Sequence, residues 1–126
     1  MITALVAVFL IAHGLVHLAV WAGPAGPERP MSFSPTHSWV LAESGMPRSA
    51  VNVSAVSLAA VTALLYVIAG AAAAAHSGGW PDAAVAAAVS GLVLKAVWFN
   101  PWLLVGVLLD AGVLAAVFGQ WPASLY

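Results

Sequence analysis

Cysteine is absent from the 126 residues, which excludes disulfides, thiolate metal sites, iron–sulfur clusters and thiol redox chemistry. Charge is scarce as well: three Lys or Arg and four Asp or Glu make up 6% of the chain, for a net charge of -1. So few basic residues cannot engage a run of phosphates, which excludes a nucleic-acid binder. A soluble domain needs far more polar side chains to cover its surface. Here 63% of the residues are hydrophobic and the mean hydropathy is +1.05. A disordered tail and a disulfide-stapled secreted domain are excluded with it. What remains is a membrane protein, with the lipid bilayer as its first partner.

A bilayer core about 30 Å thick takes roughly 20 apolar residues at a helical rise of about 1.5 Å each. Four stretches meet or approach that length. The first runs from about Ile2 to Ala22 and stops at the breakers Gly23, Pro24, Gly26 and Pro27. The second starts near Ser49, behind Pro47 and Arg48, and reaches about Ala75, where His76, Ser77, Gly78 and Gly79 turn the chain. Pro81 stands at the first helical position of the third span, with Asp82 complementing its dipole, and that span ends near Phe99. Asn100 and Pro101 cap and open the fourth, which continues to about Phe118 before Gly119. The expected fold is therefore all-α: one domain, an integral membrane four-helix bundle in up-down-up-down order, with spans near 2–22, 49–75, 82–99 and 101–118. The first stretch reads as a span rather than a cleaved secretory signal. A small-residue site does lie near Ala22, but its start lacks Lys and Arg and it carries two histidines. The one sizeable loop is 23–48, where Ser38 to Glu43 has enough apolar content for a short interfacial helix.

All three basic residues, Arg29, Arg48 and Lys95, fall on one side of that arrangement. The positive-inside rule then turns the loops at 23–48 and around 100 to the cytoplasm and both termini outward. Of the six tryptophans, Trp21, Trp39, Trp98 and Trp102 flank one interface, while Trp80 and Trp121 flank the other. Interfacial girdles of this kind anchor helices without implying a binding site.

An ionisable group in hydrocarbon is costly unless it is paired or wet, so each one inside a span is a candidate site residue. These are His13 and His17 in the first span, Lys95 in the third and Asp110 in the fourth. Measured from the cytoplasmic ends, His13 and Asp110 both lie about 13 Å deep, and His17 and Lys95 roughly 6 to 8 Å deep. In an up-down-up-down bundle the first helix adjoins the fourth, which lets His13 meet Asp110. His13 and His17 are four residues apart and share a helix face. Gly14, Gly91 and Gly106 lie within a turn of these groups and permit close helix approach or leave room for a ligand. Asn52 is a candidate member of the shallower level. Two plain roles stand beside the functional ones: Lys95 can snorkel to the interface as an anchor, and an Asp110–His13 contact can simply fix helix register.

Several functional readings follow. An accessory or scaffolding subunit, or a binding module of the membrane, asks for no special chemistry; small residues such as Ala87 and Gly91 suit packing into a homo-oligomer or a larger membrane complex. Proton-linked transport of a small solute is the alternative, because buried His and Asp are the residue types of proton relays. The chain is similar in size and span number to small multidrug resistance transporters, which rely on a Glu in their first span where this chain has His13 and His17. A metal-dependent enzyme is another. His13, His17 and Asp110 have the ligand types of a two-histidine, one-carboxylate zinc or iron site. The run HGLVH, however, places Gly14 where the metalloprotease motif carries its catalytic Glu. Haem would need histidines on opposing helices, and His37 and His76 are both in loops. No cofactor is thus expected, with zinc or iron as the alternative.

HGLVH in the first span, a proline-rich first loop ending in a Trp-containing segment, and a fourth span with one Asp together resemble small four-span bacterial membrane proteins. The resemblance covers most of the chain. It implies the four-span fold and a bacterial inner membrane, and it carries no activity with it.

Overall fold

Pro47, Pro81 and Pro101 each stand within a residue of a helix start in the computed structural model, which describes residues 1–23 and 33–126. The breakers at 24–27 and Arg29 lie outside the described residues. The described residues form four α-helices and no strand: α1 (Ile2–Ala22), α2 (Arg48–Ala74), α3 (Trp80–Val97) and α4 (Leu104–Phe118). With a 3₁₀ turn over Pro101–Leu103 extending α4, all four are long and apolar enough to cross a membrane.

Local chemistry explains the ends. α3 begins one residue before Pro81, and it stops at Val97 rather than at Phe99. The stop follows from Pro101, which disfavours helical geometry in the residue before it: Asn100 is extended, at φ -148 and ψ 136. The Asn100 side chain then accepts the Trp102 N–H at 2.9 Å and caps the entry to α4. The last carbonyls of α2 are closed by His76 in the left-handed region (φ 51), with His76 N–H on Ala73 O and Ser77 N–H on Ala72 O. Gln120 (φ 52) closes α4 the same way, so Gly119 is not the left-handed residue there.

The interior is built from small side chains and the exterior from large ones. Ala55, Ala59, Ala69, Ala84, Ala87 and Ala88 are fully buried, whereas Leu5, Val8, Leu64, Val105, Leu108 and Phe118 face outward. Where lipid surrounds the helices, apolar burial gives no driving force between them, and close backbone approach through small residues replaces it. α1 meets α2 in this way. A Cβ on Gly14 would fall 2.7 Å from Tyr66 Cβ and 2.9 Å from the Ala63 carbonyl, and one on Gly70 would fall 2.8 Å from Ala7 O. Thr62 and Ser90 join α2 to α3 through their hydroxyls at 2.7 Å.

Both ends of the bundle are covered by short segments. The expected helix near Ser38–Glu43 is a 3₁₀ turn over Leu41–Ser44. The residues before it dock on the end of α3: Ser38 Oγ donates to Val97 O at 2.6 Å and Trp39 Nε1 to Ala96 O at 2.7 Å, satisfying carbonyls the helix leaves open. At the opposite end Trp80 Nε1 donates to Leu125 O and the Tyr126 hydroxyl to Val117 O. The tryptophans therefore divide. Trp39, Trp102 and Trp121 are exposed as interfacial anchors would be, but Trp21, Trp80 and Trp98 are buried and pack the two ends of the core.

Candidate functional site

Asp110 is the centre of the one buried charged network among the described residues. Its carboxylate is completely enclosed. Oδ1 accepts from His13 Nε2 on α1 and from the Tyr66 hydroxyl on α2, both at 2.7 Å, and Oδ2 accepts from Lys95 Nζ on α3 at 2.7 Å. Every helix contributes to this one group. Lys95 Nζ also donates to His17 Nε2 at 2.7 Å and to Gly91 O at 3.3 Å, so its three protons are all engaged. The structure brings together His13 with Asp110 and His17 with Lys95, and the Lys95–Asp110 ion pair joins the two contacts into one network.

Hydrogen-bond partners assign the His17 proton. Nδ1 faces the His13 carbonyl at 3.0 Å, which can only accept, so Nδ1 carries the hydrogen. Nε2 faces the Lys95 ammonium, which can only donate, and therefore accepts. His17 is thus neutral, and His13 gives its Nε2–H to Asp110. One ammonium and one carboxylate thus pair at the centre of the network.

Glycine makes the room. A Cβ on Gly91 would sit 2.5 Å from Asp110 Oδ2 and 3.1 Å from His17 Nε2, and one on Gly106 would sit 2.5 Å from Lys95 Cε. Neither gap is vacant space for a ligand; each is filled by the ion pair itself. This geometry corrects the anchoring role for Lys95. At 4% exposed, its side chain turns inward to Asp110 and does not snorkel. Asn52 is half-buried near the start of α2 and takes no part in the network's hydrogen bonds. Tyr66 is the member sequence reasoning missed. Its signal was a single phenol deep in an apolar span, where the hydroxyl requires a partner.

His13, His17 and Asp110 do offer ligand atoms within 4.8 Å of one another, as a metal site would require. Lys95 Nζ, however, lies 2.7 Å from both His17 Nε2 and Asp110 Oδ2 and takes the position a cation would need between them. The residues present do not fit a metal while that ammonium is in place.

α1 and α4 are otherwise parted by open space. On the Lys95 side lies a cleft of about 410 Å³ with His13, His17, Lys95 and Gly106 at its floor and Trp21 and Trp102 along its lining. On the other side of Leu109 lies a second cleft of about 510 Å³, lined by groups such as Ile2, Phe9, Leu108 and Val113. Compared with protein-family models, curated proteins and solved structures, the chain finds no match.

Proposed function

We propose that this chain is a small polytopic protein of the bacterial inner membrane, an accessory or scaffolding and binding module, in which the Asp110 network clamps four spans in one register. The observation that carries it is the meeting of His13, Tyr66, Lys95 and Asp110, one from each helix, in a network that satisfies both oxygens of the buried carboxylate. A buried ion pair gains little over apolar packing, but removing one partner leaves an uncompensated charge, so the pair penalises any arrangement that separates its members. Up-down-up-down order is supported by the contacts of Gly14 with Ala63 and Gly70 with Ala7, and of Gly91 with Asp110 and Gly106 with Lys95, which run in opposite directions along each helix pair. With Lys95 neutralised at Asp110, Arg29 and Arg48 carry the charge bias that turns loop 23–48 to the cytoplasm. Proton-linked transport is the weaker reading, because the second cleft offers no ionisable side chain to continue a path from His13.

The absence of native cysteine makes the register directly testable. Thr62→Cys combined with Ser90→Cys, whose hydroxyls lie 2.7 Å apart, is expected to form an α2–α3 disulfide in membranes. Adding Asp110→Asn should reduce the yield sharply. Full cross-linking in the Asp110→Asn background would contradict the clamp.

A further inference from the structure

The cleft on the Lys95 side has the volume of a small-molecule site, about 300–1,000 Å³, and one of the side chains lining it has a polar atom to spare. Both His17 nitrogens and all three Lys95 protons are engaged. His13 differs. Its Nε2 is given to Asp110, and its Nδ1 has no partner among the described residues. No fully enclosed side-chain nitrogen or oxygen lacks a partner among those residues, so this Nδ1 reaches the molecular surface, and His13 lines the cleft. Lys95 already balances the Asp110 charge, so a neutral His13 ring suffices there, and with its Nε2–H directed at Asp110 such a ring presents a lone pair at Nδ1.

We propose that this cleft binds a neutral, membrane-dissolved amphiphile through a hydroxyl that donates to His13 Nδ1, with its hydrocarbon part along Val16, Val20, Val105 and Leu109. Three features select that class. The Lys95–Asp110 pair below the cleft is already balanced, so an ionised head would bring an uncompensated charge into a low-dielectric site. The spare atom is an acceptor, which favours a phenol or alcohol over an ether or ketone. The walls are aliphatic, and Val16 and Val105 are more than half exposed, so the opening faces laterally between α1 and α4, where a molecule dissolved in the bilayer would arrive.

The inference rests on the clamp in one respect: Asp110 holds the His13 Nε2–H, which leaves Nδ1 as the accepting nitrogen of a neutral ring. The test uses the full chain in detergent micelles, labelled with nitrogen-15 histidine and titrated with para-octylphenol. Para-octylanisole, which lacks the donor, serves as the partitioning control. The phenol should shift the His13 Nδ1 resonance saturably, with about tenfold weaker binding of the anisole for the lost hydrogen bond. Leu109→Trp, which makes none of the network's hydrogen bonds, should abolish the shift while keeping the wild-type melting temperature. Val20→Trp, on the opposite wall, is the second blocking variant. Equal shifts with both probes, a shift that persists in both blocked variants, or no saturable shift would overturn the proposal. Because the blocked variants leave the network intact, these outcomes are separate from loss of the clamp, which Asp110→Asn reports through stability.

Discussion

The seam between α1 and α2 and the seam between α1 and α4 are built on opposite principles. In the first, Gly14 and Gly70 bring backbones so close that no Cβ fits at either position. In the second, the helices stand apart over two clefts and are joined at one level through His13 and Asp110. One seam gains from contact summed along its length, the other from a few strong polar bonds at one point. The lesson is that a helix pair in an apolar surrounding can be fixed without continuous packing, provided that a single buried charge is satisfied from every side. The space left above and below that point is then free for another molecule.

Perturbing the polar seam should have the largest effect. Asp110→Asn leaves the Lys95 ammonium buried without its countercharge and should cost about 3–5 kcal/mol in thermal or denaturant unfolding in detergent. The close seam comes next. Gly14→Ala places a methyl against the Ala63 carbonyl and Tyr66 Cβ and should cost about 1–3 kcal/mol by the same measurement. Tyr66→Phe removes one of the three donors to Asp110 while His13 and Lys95 remain, for a loss of about 1.5 kcal/mol. The smallest effect belongs to Gly112, on the open seam, where an added Cβ meets nothing within 4 Å. Gly112→Ala should change stability by no more than about 0.5–1 kcal/mol, in the stabilising direction. If Gly14→Ala and Gly112→Ala behaved alike, the distinction between the two seams would not stand.

Much of this was legible in the amino-acid order. The four apolar helices follow from apolar length, and with the 3₁₀ turn at Pro101–Leu103 counted into the fourth their ends fall within two residues of expectation, because Pro47, Pro81 and Asn100–Pro101 act through local backbone rules. The His13–Asp110 pair follows from equal depth in two neighbouring helices. Lys95 stands between two roles in the sequence, because depth alone places it in the last turn of α3, where a lysine ordinarily escapes to water. What turns it inward is the space left by Gly91 and Gly106, which only the docking of α4 on α3 reveals. Tyr66 was hidden by its own hydrophobicity, since a ring in an alanine-rich span reads as apolar filling. Trp21, Trp80 and Trp98 misled for the converse reason: position at a span end suggests an interfacial girdle, but the end segments fold over and bury them.

The central claim is that a mutually compensating Lys95–Asp110 pair holds the four helices together, and a double-mutant cycle measures that most directly. Unfolding in detergent would be compared for wild type, Asp110→Asn, Lys95→Met and the two substitutions combined. The damage in each single variant comes from an unpaired or undersatisfied buried polar group, so the combined variant should be more stable than either one, with a coupling above about 2 kcal/mol. Losses that simply add would contradict the clamp and leave the network an incidental contact of the fold.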